Sequence, residues 1–262
     1  MVYRSEFIAT FGLGSVMAVA SPAGAAIFTD DFQYADQAAF EAAYTLSGTD
    51  DGEAATLLEG TPANKRVRFN VLQAGDGNVK ALRNAESYAF GVADPITISL
   101  DVISAGSFMD TAVGFQSVSD PDAGLTLLLK KITGANPETQ VSVRNDVTGS
   151  IVFYADADSD AALTGNSVGA NWQIAVDSAQ VTVSRDGTAV TNDGGTTSSA
   201  HGLVPADYAS GVDVFLGAEN NIDRNNVLDN LQIEANLIPE PGSMALMATG
   251  GVLALSRRRR GA

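Results

Sequence analysis

From Val67 onward the sequence runs in short stretches of alternating apolar and polar residues, broken by Gly, Asp or Asn every ~10 positions. Alternation of period two places every second side chain on one face of an extended chain, which describes a strand buried on one side only. Many such strands at this spacing fold as two antiparallel sheets packed face to face, so the fold class is an all-β, two-sheet antiparallel β-sandwich. The predicted strands are 67–72, 96–103, 113–118, 125–132, 140–144, 150–154, 172–176, 180–185, 212–217 and 227–235. Only 36–44, with Phe40 and Tyr44 four apart, has helical spacing.

The sharpest local signal is Asp186-Gly187, set between the alternating arms 181–185 and 188–190. Asp-Gly at that place predicts a two-residue hairpin of type I′, which needs positive φ at both turn positions. Before it stands Trp172-Gln173-Ile174-Ala175-Val176, and after it come Leu216-Gly217 closing one strand and Asp229-Asn230 inside the last. With the opening Phe28-Thr29-Asp30-Asp31-Phe32, this order resembles the concanavalin-A-like, laminin-G-like jelly roll. That resemblance implies that the first strand pairs beside the last.

Both ends read as addressing segments. Arg4 precedes an apolar stretch over 7–20, then Ser21-Pro22 breaks it and Ala23, Ala25 and Ala26 supply small residues. This is the order of a signal peptide, 1–25, with cleavage before Ala26 or one residue later. At the other end Pro239-Glu240-Pro241 leads into an apolar run over 244–255, followed by Arg257, Arg258, Arg259 and Arg260. These three parts, over 237–262, resemble the PEP-CTERM sorting signal of Gram-negative bacteria. The resemblance implies recognition of Pro239, Glu240 and Pro241 by the membrane enzyme exosortase, a transient transmembrane helix over 244–255, and the four arginines as its cytoplasmic stop. Twelve apolar residues make only about 18 Å of helix, short of a ~30 Å hydrocarbon core, so a permanent anchor is not expected. Contact with the membrane is expected through this segment alone. Residues 26–236 are left as one domain.

A net charge of -16 falls to roughly −20 once the arginine tail is removed, and a surface of that sign repels nucleic acid. Without cysteine there is neither disulfide nor thiolate chemistry. The single histidine, His201, lies in a Gly-flanked polar loop and is expected to be solvated; a Ser-His-Asp triad is not expected. Jelly-roll glycosidases use a Glu-x-Asp-x-x-Glu strand, and no such run occurs; the glutamates are isolated. Asp156, Asp158 and Asp160 have calcium-loop spacing, but Ala161 and Ser167 stand where an EF-hand needs Gly and Glu. One structural calcium is expected instead at Asp30, Asp31 and Asp229, where the first and last strands meet. Trp172 shares its strand face with Ile174 and Val176 and is expected in the core, and neither Tyr88, Tyr154 nor Tyr208 is marked as a sugar platform. The chain therefore reads as an exported, non-catalytic protein of the cell surface or extracellular matrix that binds polysaccharide. The alternatives are a polysaccharide hydrolase or lyase on the same fold and a purely structural or adhesive protein.

Overall fold

The computed structural model describes residues 25–47, 49–50, 53–54, 56–61, 64–69, 79–83, 87–105, 110–164, 169–219 and 226–238. The expected leader, with Ala23, and the tail from Pro239 onward, with Glu240, Pro241, the apolar run and Arg257 to Arg260, lie outside the described residues. Among the described residues no helix is long and apolar enough to cross a membrane.

Two antiparallel sheets form the sandwich. One is ordered β15 (Thr188–Ala189), β14 (Gln180–Arg185), β13 (Ala170–Val176), β8 (Ile96–Ser104), β18 (Asn226–Ala235), β6 (Asn64–Phe69), β5 (Thr56–Thr61), with β1 (Ala26–Asp30) on β18 and β16 (Ser199–Ala200) on β14. The other is ordered β12 (Ser150–Ala155), β11 (Glu138–Asn145), β10 (Gly124–Ile132), β9 (Asp110–Ser117), β17 (Val212–Glu219), β7 (Val79–Arg83), β2 (Tyr44–Ser47). A separate two-residue pair joins β3 (Thr49–Asp50) and β4 (Glu53–Ala54). The chain crosses repeatedly between the sheets and ends beside its own first strand, the jelly-roll arrangement expected from the sequence.

Alternation builds the core. Ile96, Ile98, Leu100 and Val102 of β8 point inward with Trp172, Ile174 and Val176 of β13, and with Val113, Phe115, Leu125 and Leu127 of the facing sheet. Trp172 is 1% exposed, so it packs in the core as expected; Tyr88 and Tyr208 are buried too. Asp186 and Gly187 have φ of 50° and 77°, and Arg185 pairs with Thr188, so the type I′ hairpin forms where predicted. The one α-helix among the described residues, α1 (Gln37–Ala43), starts where the Asp36 carboxylate accepts from the Ala39 N–H and lays Phe40 on Tyr44, ring centroids 4.9 Å apart.

His201 differs from its expectation. It is fully buried, its Nδ1 accepts from the Leu203 N–H at 3.0 Å, and its Nε2 faces the Asp177 carbonyl oxygen at 3.0 Å. The imidazole closes the loop ahead of β17 from inside, and only the fold brings Asp177 to it.

The two ends of the described chain meet. Ala26 pairs with Ala235, and the backbone beyond β18 stays attached to the body: the Ala89 N–H donates to the Asn236 carbonyl (2.7 Å) and the Ile238 N–H to the Ser87 carbonyl (3.1 Å). Leu237 bridges to Tyr88. Ile238 fills the space over Gly211, where a Cβ would stand 2.3 Å from the Ile238 Cδ1.

Candidate functional site

The expected first-to-last strand pairing is present, yet it does not gather Asp30, Asp31 and Asp229. Directly opposed residues of an antiparallel pair share a face. Asp30 opposes Leu231, a core residue, so its carboxylate points inward. Asp229 opposes Asp101, whose neighbours Leu100 and Val102 are the inward ones, so Asp229 lies on the outer face. A bulge decides this: Asn230, at φ 51°, is an extra residue in β18 and switches the faces on either side of it.

Asp30 is committed to the protein. Its Oδ1 accepts from the Phe32 N–H at 2.7 Å, and its Oδ2 from the hydroxyls of Tyr34 (2.5 Å) and Tyr44 (3.0 Å). Arg83 of the other sheet approaches Oδ2 at 3.7 Å and stacks its guanidinium 3.4 Å from the Phe28 ring centroid. Phe32, at φ 55°, takes the left-handed conformation that this Asp-led turn supports. Burial first, and then the Asp30 carboxylate, pushes both tyrosine hydroxyls well above the usual phenol range.

On the outer face Asp101 accepts from the Asn171 amide (2.8 Å) and the Asn230 amide (2.7 Å), while Asp229 lies 3.6 Å from Arg66. Desolvation is the main cause that raises the Asp229 carboxyl above its ordinary value; the Asp101 and Asp31 charges add, and the Asn230 N–H and Arg66 oppose. The structure thus brings Asp31 and Asp101 near Asp229 and turns Asp30 away. Among the described residues no group of three His, Cys, Asp or Glu side chains is placed to hold a metal ion. Asp156 and Asp160 are likewise committed to the protein, accepting from the Asp158 and Ala162 N–H groups, and Asp160 also from the distant Thr191 N–H at 2.9 Å.

The outer face of the seven-stranded sheet carries the strongest polar arrangement, which sequence spacing did not reveal. Arg144 of β11 reaches over β10 and β9 to β17, where it donates to both oxygens of Glu219 at 2.6 and 2.8 Å. Its Nε donates to Asp146 at 2.7 Å, and Asp146 also accepts from the Thr126 hydroxyl at 2.7 Å. The small residues Ala112, Gly114 and Gly217 lie at the centre of this face, with the buried side chains of Leu128 and Phe215 opposite them on the neighbouring strands. A Cβ on Gly114 or Gly217 would meet the neighbouring strand's carbonyl oxygen at 2.0 or 2.3 Å. The bidentate bond to Glu219, followed by that to Asp146, raises the Arg144 pKa against the opposing effect of burial. Tyr154 of β12 stands half-buried on this same face, opposite Ser142.

No curated protein matches this chain. Among solved structures, an endo-1,3-β-glucanase from Streptomyces sioyaensis superposes at a TM-score of 0.49 with 13% identity, over 84% of this chain and 99% of its own. The metal-free carbohydrate recognition domain of Emp46p gives 0.49 at 10% identity, over 79% and 95%. A structure described under endo-acting O-glycanases of the human gut microbiota gives 0.49 at 10%, over 80% and 98%. Residues 237–260 match the family described as PEP-CTERM protein-sorting motif, and this chain is accordingly an exported bacterial protein whose C-terminus carries the signal for exosortase and the cell surface.

Proposed function

We propose that the exported sandwich is a non-catalytic component of the extracellular matrix of a Gram-negative bacterium and binds polysaccharide on the outer face of its seven-stranded sheet. The observation that carries this reading is the Arg144 fork. Glycoside hydrolysis requires two carboxyl groups flanking the bond, one of them able to give up a proton. Glu219 and Asp146 instead both accept hydrogen bonds from one guanidinium. What this face offers a sugar is Tyr154 for its apolar side and the hydroxyl and amide groups of Ser142 and Gln140 for its own hydroxyls.

The test is the processed protein on a polysaccharide array, together with an assay for released reducing ends. Retention on a polysaccharide without release is the expected result, with Tyr154→Ala weakening it roughly tenfold, the ~1.4 kcal/mol scale of one aromatic contact. Release of reducing ends that Glu219→Gln abolishes would establish a hydrolase. Absence of retention on every polysaccharide would leave a structural or adhesive role.

A further inference from the structure

Of the seven large apolar side chains exposed among the described residues, four lie on loops at one pole of the sandwich, while Val147 is on the turn between β11 and β12 and Ile151 on the edge strand β12. Val92 (84% exposed), Val118 (42%), Val204 (57%) and Leu237 (42%) sit on loops joined by the bonds Val118 N–H to Gly211 carbonyl and Val212 N–H to Tyr88 carbonyl. Ile27, 62% exposed, lies beside them at the start of β1, since its neighbour Ala26 pairs with Ala235. This is the pole from which the chain passes into Pro239.

No spacer separates the sorting motif from this pole. Ile238 is hydrogen-bonded to Ser87 and packed on Gly211, and the Asn236 amide donates to Asp94 at 2.6 Å. Pro239, Glu240 and Pro241 can therefore extend at most ~11 Å beyond an attached residue. A protein that encloses three residues so close to a folded body must touch that body.

We propose that this pole, centred on Val92, Val118, Val204 and Leu237, is a docking surface for the sorting enzyme, read together with the Pro-Glu-Pro motif. The inference rests on the reading of 237–260 as a sorting signal. The loops 87–95, 118–123, 146–149, 201–211 and 236–238 contain Asp94, Asp120, Asp122, Asp146 and Asp207 and no Lys or Arg. Carboxylates on the same loops disfavour an anionic bilayer, although Arg144 already pairs with Asp146, so the occupant that fits is a protein.

Pulse-labelling in the producing cell measures the rate of C-terminal processing. Val92→Asp, Val118→Asp and Val204→Asp combined are expected to slow it about tenfold. A Gly/Ser spacer of about twelve residues between Ile238 and Pro239, reaching roughly 19 Å, is expected to restore the rate of the same triple variant, because the enzyme then reaches the motif clear of the pole. Restoration also shows that the variant folds and is exported. Processing of the triple variant at the unaltered rate would overturn the proposal. So would slow processing that the spacer fails to rescue, including the case in which the variant has lost sedimentation with phosphatidylethanolamine/phosphatidylglycerol vesicles, which would assign the pole to lipid. Replacing Pro239 and Pro241 with Ala separates the two readings: normal processing of that variant would sink the sorting signal itself, whereas a block there with unaffected valine variants would sink only the docking surface.

Discussion

Tyr34 and Tyr44 both donate to Asp30 inside the fold, and their hydroxyls resist ionisation there. In the unfolded chain they ionise near pH 10. Above that pH the folded state holds protons that the unfolded state has lost, so their contribution is complete below about pH 10 and declines as pH rises past it. Tyr208, pushed up to about 12 by burial, acts in the same direction. Thermal melts from pH 8 to 11 are expected to show this decline, with a shallower slope in Tyr44→Phe; equal slopes would contradict it. Asp229 titrates on the acid side. Its raised pKa means that stability is lost as pH rises from its unfolded value, about 3.9, through the folded one, so at neutral pH the charge is a burden. Asp229→Asn keeps an acceptor for the Asn230 N–H and is expected to raise the melting temperature at pH 7, a difference that vanishes below about pH 3.9. Melts with chelator and with millimolar calcium complete the test, because a calcium-dependent rise that Asp229→Asn abolishes would restore the cation expected from the sequence.

Elements became legible in the sequence where their causes were local. The hairpin at Asp186-Gly187 needs only two residues with positive φ between alternating arms, and Gly187→Val is expected to cost more than about 1 kcal/mol, read as a lowered melting temperature. β7 escaped prediction because its pattern is inverted: Arg83 points inward to Asp30 and Phe28, while Leu82 lies on the outer face. β2 is short and follows directly on α1, so its register depends on pairing with β7. The Arg144 to Glu219 fork joins residues 75 apart in sequence, and no spacing rule reports a contact that depends on the order β11, β10, β9, β17.

At the scale of the whole molecule, export and architecture meet at one pole. The strand β1 begins at Ala26, next to the end of β18, so cleavage of the expected leader before Ala26 leaves the first strand intact and cleavage before Ile27 removes only its first residue. Sequencing of secreted protein is expected to start at one of these two residues; a start at Met1, or beyond Asp30 with loss of the inner carboxylate, would contradict it. The sequence by itself determined ten of the strands, the hairpin, the inward Trp172 and the sorting signal at 237–260, because each follows from the chemistry of neighbours within a dozen positions. Tertiary structure alone decided where the charges act. The bulge at Asn230 and the register of β1 on β18 put Asp30 and Asp229 on opposite faces, and the loop before β17 closes over His201. The reason is physical: a strand's alternation fixes which residues share a face, but which face is inward, and which distant strand lies alongside, depends on how the sheets close.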